Sequence, residues 1–502
     1  MSTSQKLSEL EARRFAIQEG ASDVAKKAIL AQNKLTARSR ISTLLDQDSF
    51  VEIGAFMTSR KSAFNMDTCE TPADGVVCGY GTVKGQLVYV YSQDATVLGG
   101  AIGEMHAQKI AKTYDDAMKM GAPIVGFVDT VGLRLQESID ALHGYGSIFA
   151  KMSEASGVIP QIAVVCGDCA GGASFISGLS DFTFISTKNG KMYLNSPNTL
   201  DDKSASLDNV ASPEVHLEAS GLATMGCESE EELINNVVEL LTYLPSNNQE
   251  EVPCYPCTDD LNRADAELNA FDFGTSTTQE VIAKIADDYT YFQISEAYGK
   301  DITLGFVRLN GVTVGVIGNQ APEMNYDALN KTTQFVTFCD AFNIALLTLT
   351  NIKSMKSTVE TERRGIIQAA SKLVHAFATA SVPKVNVILN AGYGTSYLTM
   401  NSKPIGADYV YAWPTADVKT LDSESAVKIM YANELATADD KLALMQEKIV
   451  AFEATNSVYG MAARGYIDDI IEPAATRKRV IAVLENLMTK QVVDSVKKHP
   501  TL

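Results

Sequence analysis

The feature that most constrains this chain is an internal duplication centred on two glycine elbows. In the stretch from Ser156 to Ser180, Pro160 precedes the apolar run Ile162 to Val165, which reads as a buried parallel strand. The run is expected to break at Gly167 and again at Gly171-Gly172. Ala173, Phe175, Ile176 and Leu179 then recur at helical spacing. Ala378 to Met400 repeats the scheme, with Pro383 in place of Pro160 and Gly394 in place of Gly171, both 223 residues on. Upstream, Met120 to Asp129 pairs with Phe342 to Asn351 at an offset of 222. Self-similarity at nearly half the chain length implies two related domains. They are expected at 1–250 and 251–502, joined by the linker Pro245 to Asp260, which holds three of the fourteen prolines.

A strand, a glycine turn and a helix start leave backbone N–H groups without intrahelical partners. Such donors suit an oxygen that gains negative charge, for example a thioester carbonyl becoming an enolate. Glycine lets a ligand approach the backbone without meeting a Cβ. One elbow after a strand often only packs a helix on a sheet, but two elbows on two copies can serve two oxygens of one reaction.

Composition removes several classes of function. A formal net charge of −19 over 502 residues disfavours a nucleic-acid or anionic-membrane surface. No apolar run is long enough to span a bilayer, and Met1 to Lys34 has no apolar signal core, so a cytoplasmic protein is expected. Eight cysteines are too few for a disulfide scaffold. The two C-x-x-C pairs, Cys166/Cys169 and Cys254/Cys257, lie far beyond zinc-ribbon spacing, and the five histidines form no ligand pair; no metal is expected.

In chain order, Ser4 to Leu35 reads as a helix or helix pair, followed by a helix through Leu44-Leu45 and a strand from Phe50 to Ile53. Pro72 to Gly85 is glycine-dense, with short strands and a hairpin turn at Lys84-Gly85. Strands follow at Leu87 to Tyr91 and Ile124 to Val128, and Glu230 to Leu244 reads as a helix. The second copy has a helix near Thr278, strands at Gly305 to Leu309, Val312 to Ile317 and Ala345 to Leu349, and a helix from Glu362 to Ala378. Two helices, near Asp440 to Ala454 and Ala475 to Leu487, come last. The alternation indicates an α/β fold with mainly parallel sheets.

From about Lys34 to Leu487 the chain resembles the acyl-CoA carboxyltransferase subunits of biotin-dependent carboxylases and decarboxylases. This family includes the propionyl-CoA carboxylase β and methylmalonyl-CoA decarboxylase α subunits. The segments that carry the resemblance are Thr71 to Gly81, Ser92 to Ile110, Gly144 to Phe149, Ala155 to Ala173, Thr337 to Thr348 and Met400 to Ala416. It implies two tandem crotonase-like (spiral ββα) domains, with acyl-CoA on the N-terminal copy and carboxybiotin on the C-terminal one. By position, Gly171, Gly172 and Ala173 would face the thioester oxygen, and Gly394, Thr395 and Ser396 the ureido oxygen of biotin. Gly99, Gly100, Tyr393 and Tyr397 would border the ligands. Asn319 and Gln320 either hydrogen-bond biotin or only close a turn. Arg134 either lies near CoA phosphate or pairs at a helix start. The resemblance further implies a homo-oligomer, from dimer to hexamer. It also implies biotin delivered on a separate carrier protein that visits a carboxylase or a membrane decarboxylase subunit.

The family's motifs are not all kept. Where it usually reads D-x-P-G-F, this chain has Asn351-Ile-Lys-Ser-Met355, and the second elbow reads Tyr393-Gly-Thr-Ser-Tyr397 in place of Y-G-G-A-Y. Lys353, a cation where the family has proline, either meets a substrate carboxylate or faces water. The Ala117-Met-Lys-Met120 tetrapeptide imitates a biotinylation motif, but Lys119 falls in an expected helix. A crotonase-fold paralogue of another kind, hydratase-like, thioesterase-like or a scaffold, is the alternative function.

Overall fold

The computed structural model describes residues 2–20, 23–60, 64, 66–455 and 457–492; the end of the polar tail Met488 to Leu502 lies outside them. The chain divides into two compact units, Met1–Glu251 and Val252–Leu502. In the first, the strands are β1 (Val51–Ile53), β2 (Val76–Val83), β3 (Gln86–Gln93), β4 (Ile124–Thr130), β5 (Gln161–Ala170), β6 (Phe182–Ser186), β7 (Lys191–Tyr193) and β8 (Met225–Cys227). They form one sheet of order β1-β2-β3-β4-β5-β6-β8, with β7 paired to the end of β5. β1 to β3 are antiparallel and every later pairing is parallel.

The second unit repeats this. Its main strands are β9 (Phe292–Ile294), β10 (Ile302–Leu309), β11 (Val312–Asn319), β13 (Ala345–Ile352), β15 (Lys384–Tyr393), β16 (Tyr409–Ala412), β17 (Asp417–Lys419) and β18 (Asp469–Ile470). A small parallel pair, β12 (Glu323–Met324) with β14 (Ser354–Met355), is added. β17 pairs the end of β15 as β7 pairs the end of β5. In each unit a β-branched parallel core strand has helices against it, and the buried cores gather around Val165 and Ile148 in one and Val387 and Trp413 in the other. These are two crotonase-like units in tandem.

The expected break at Gly167 does not occur. β5 runs through it to Ala170, and the interruption is a bulge: its register against β4 moves from Val128↔Val165 to Thr130↔Cys169. The same shift recurs against β13, from Thr350↔Ile388 to Ile352↔Gly392. Beyond the bulge each strand keeps its pairing with β4 or β13, while on its other side the partner changes from β6 to β7 or from β16 to β17, and the elbow follows. Gly167 is needed for a different reason, because a Cβ there would collide with the Asp129 carboxylate and the Lys34 ammonium. Those two groups form a buried ion pair of 2.6 Å, and Arg40 extends it to Asp129 at 3.0 Å and to Glu230 at 2.7 Å. Buried charges persist only when paired in this way.

The helix expected from Glu362 to Ala378 is also two helices, Val359–Arg364 and Ile366–Thr379. Left-handed Gly365 (φ 90°) divides them. Beyond β17, three helices absent from the sequence reading, Ser423–Met430, Ala432–Thr437 and Val458–Ala463, accompany the expected Lys441–Thr455. None of the described helices is long and apolar enough to cross a membrane.

Candidate functional site

At the first elbow, β5 ends at Ala170, Gly171–Ala173 forms one tight turn, and the helix Ser174–Leu179 follows. Gly171 has φ 62°, which any other residue adopts at a cost, and a Cβ placed on it would meet no atom within 4 Å. The space in front of Gly171 is therefore open. Gly172 differs, since its backbone is not left-handed and its Cβ would rest against the Tyr145 ring at 3.7 Å. The backbone requirement and the free approach thus belong to Gly171, and Gly172 is the more replaceable of the two. Some helix starts are capped by side chains, as at Thr36, Ser229, Asn325 and Asp422, and others, such as Ile366–Thr379 and Thr476–Leu487, are not. Neither elbow has a side-chain cap. At Gly171 these uncapped donors face the open space, which lets a ligand oxygen reach them.

Behind this elbow the loops lock together. Gly100 adjoins the Asp129 backbone so closely that a Cβ would collide with its carbonyl, and Gly132 sits against the Ala170 carbonyl, 2.9 Å from its own ideal Cβ position. Arg134 is buried; it donates to Asp74 at 2.6 Å, to Glu137 at 2.7 Å and to the Ala101 carbonyl at 2.8 Å. Tyr145 stacks on Phe149 (5.6 Å between centroids). Its buried hydroxyl has no hydrogen-bond partner among the described residues. Burial pushes this phenol's pKa well up, and that of Cys169 up to about 12, so both stay neutral at physiological pH.

At the second elbow, β15 ends at Tyr393 and Gly394–Leu398 is a single helical turn. Gly394 has φ 54°, and a Cβ there would stand 3.0 Å from the Thr420 carbonyl. Gly394, Thr395, Ser396 and Tyr397 line a cavity of about 1150 Å³. Its walls carry Lys353, Lys403, Lys419 and Arg464 against one carboxylate, Asp422. Tyr393 donates to Asp417 at 2.7 Å and lies under the Lys419 ammonium. Its pKa is raised by burial first and by Asp417 second. Burial also holds Tyr397 up, at about 12.

The carboxyl transferase domain model matches residues 29–502. The chain belongs to that family. This carboxyltransferase-family chain is 39% identical to the methylmalonyl-CoA decarboxylase α subunit of Propionigenium modestum, over 93% of both chains. It is 38% identical to the propionyl-CoA carboxylase β chain of Roseobacter denitrificans, over 99% of both. A crystal structure of transcarboxylase 12S, a hexamer solved with methylmalonyl-coenzyme A and methylmalonic acid bound, superposes with a TM-score of 0.96 at 36% identity. That match covers 99% of this chain and 98% of the other.

The residues singled out from the sequence fall into two groups. The elbow residues Gly171, Gly172 and Ala173, with Gly99 and Gly100 packed behind them through the loop after β4, form one cluster. Gly394, Thr395, Ser396, Tyr393 and Tyr397 form the other, in the cavity. Arg134, Asn319 and Gln320 are engaged with protein. Arg134 is consumed by its buried ion pairs, which corrects its reading as a phosphate contact. Asn319 is buried and accepts from the Asn351 N–H at 3.0 Å, while Gln320 accepts from the Thr278 N–H at 3.0 Å. Each side chain thus ties down the backbone of a distant segment, 32 residues away for Asn319 and 42 for Gln320, and neither closes a local turn. Asn351 in turn accepts from the Ala391 N–H at 3.2 Å and Asn319 donates to the Met400 sulfur at 3.7 Å, so Asn319 braces the elbow from both sides. The sequence reading missed Tyr145, Lys403, Lys419 and Arg464. Tyr145 and Lys403 lie in segments that carry the family resemblance, 144–149 and 400–416, but Lys419 and Arg464 lie in none, and all four reach the elbows only through the tertiary fold.

Proposed function

We propose that this chain moves a carboxyl group between biotin and a short-chain acyl-CoA of the propionyl/methylmalonyl type. The observation that carries the reading is the pair of uncapped elbows, one opening on free space at Gly171 and the other on the cavity behind Gly394. At the first, the N–H groups of the turn Gly171–Ala173 would hold the thioester oxygen as it gains charge in becoming an enolate. At the second, Gly394, Thr395 and Ser396 would hold the ureido oxygen. The cavity, lined by Tyr393, Tyr397 and these donors, has room for such a ring. When bound, biotin supplies a ureido nitrogen that carries the carboxyl group and exchanges it for the α-proton. The chain's side chains need not act as acid or base, and the neutral phenols of Tyr145, Tyr393 and Tyr397 accord with this.

Biotin would arrive on a separate carrier, and the protein would act as a homo-oligomer. Leu135 in the turn before the helix Ser138–Ala155, Ile139 and Leu142 in its first turns, and Phe175 in the helix that follows the first elbow are exposed, as a packing surface requires. The deciding assay incubates the protein with biotin and methylmalonyl-CoA and follows both by mass spectrometry. Propionyl-CoA should form only when biotin is present. Conversion independent of biotin, or hydration or thioester hydrolysis in its place, would overturn the reading.

A further inference from the structure

The cavity of the second unit is positive in a chain whose formal charge is −19. Two of its four cations are already matched: Lys419 lies 2.7 Å from Asp417, and Lys403 lies 2.7 Å from Asp468. Asp422, the lone lining carboxylate, caps the helix Ser423–Met430 by accepting from the Ser425 N–H at 2.9 Å. Lys353 and Arg464 remain. Both are exposed, both line the cavity, and neither side chain has a hydrogen bond or ion pair among the described residues. They come from separate segments, one between β13 and β14 and the other after the helix Val458–Ala463. Two unmatched cations on the wall of one cavity, beside uncapped N–H donors, are arranged for an anion that occupies it.

We propose that Lys353 and Arg464 form a carboxylate-binding pair, which selects the carboxylated ligand in this cavity over its neutral counterpart. This deepens the proposed function and rests on it for the ureido ring, though the anion site itself does not. The carboxylate has two possible sources, the group carried on the ureido nitrogen or the free carboxylate of a malonyl-type acyl donor. The guanidinium can grip two oxygens at once and the ammonium adds a point charge. Loss of the carboxyl group removes the charge they hold, so the spent ligand leaves more readily than the charged one.

The test is titration calorimetry on the full-length protein at low salt with three probes. These are biotin methyl ester, its stable N1′-carboxymethyl derivative, and methylmalonate. Lys353→Gln with Arg464→Gln, both at exposed positions, is the variant. The wild type should bind the carboxymethyl derivative about tenfold more tightly than the neutral ester, in keeping with one charge-assisted contact. The double variant should bind both alike, with the neutral ester unchanged. If neither ureido probe binds but methylmalonate does, and only to the wild type, the carboxylate site stands, its source is the acyl donor, and the ureido reading fails. If no anionic probe distinguishes the wild type from the double variant, the proposal is overturned.

Discussion

The first elbow offers a perturbation in which stability and activity should separate. Gly171→Ala places a methyl group where no protein atom lies within 4 Å, so nothing is overpacked. Its folding cost is the left-handed backbone alone, about 1–2 kcal/mol for a residue with a Cβ. For a unit of this size that corresponds to a fall in Tm of about 2–8 °C. The activity cost is larger if the open space is where the thioester oxygen sits, since losing one oxyanion donor lowers kcat by about 10²–10³. Gly172→Ala is the internal control. Its backbone is not left-handed and its methyl would touch Tyr145 at ordinary distance, so both stability and turnover should change little. Scanning calorimetry and steady-state turnover of methylmalonyl-CoA with saturating biotin measure the two effects. If Gly171→Ala turns over as fast as the wild type, the space before Gly171 is not the oxyanion site.

Other expectations follow from buried charge and from local structure. Arg134→Met leaves Asp74 and Glu137 buried without their cation and should destabilise the first unit by about 3–5 kcal/mol, read by urea unfolding. Burial pushes the carboxyl of Asp181 up to about 7, above its unfolded value. The wild type therefore loses stability as pH rises from the usual carboxylate range to about 7. Asp181→Asn keeps an acceptor for the Gln161 N–H, 2.8 Å away, and should show no gain at pH 4 and a gain of about 1–2 kcal/mol at pH 8. Lys119 lies inside the helix Glu104–Met120, so co-expression with a biotin ligase should leave it unlabelled on a streptavidin blot.

What was legible in the sequence was what neighbouring residues decide. The β-branched runs of β4, β5, β13 and β15, the glycine turns after them and the 222–223-residue offset are local or self-referential signals. The structure keeps them in matching sheets. The interruption at Gly167 was misread because its cause is remote: Lys34, 95 residues from Asp129, fills the space a side chain would need. Arg134 was ambiguous for the same reason, as its partner Asp74 is 60 residues away. The second cavity combines residues from 353–354, 393–398, 403–404, 418–422 and 461–466, and no window of sequence contains them together.

The two copies share one frame but differ in charge beneath it, and that difference bears on the cation-lined cavity. In the first, Gln93 accepts from the Asp129 N–H at 3.1 Å, and the Asp129 carboxylate is neutralised by Lys34 and Arg40. In the second, the same positions are amides: Asn319 accepts from the Asn351 N–H, and the Asn351 side chain accepts from the Ala391 N–H. Lys353 is two residues beyond Asn351. An aspartate here would place a negative charge two residues from Lys353, one of the two cations of the proposed carboxylate site. Asn351→Asp preserves the acceptor for Ala391, so the elbow should keep its shape. A carboxylate probe should bind this variant several-fold more weakly at low salt, as like charges repel, and the difference should shrink as salt screens it. The neutral ester should be almost unaffected. Equal weakening of both probes would mean that the amide at 351 serves the fold of the elbow and not the charge of the cavity.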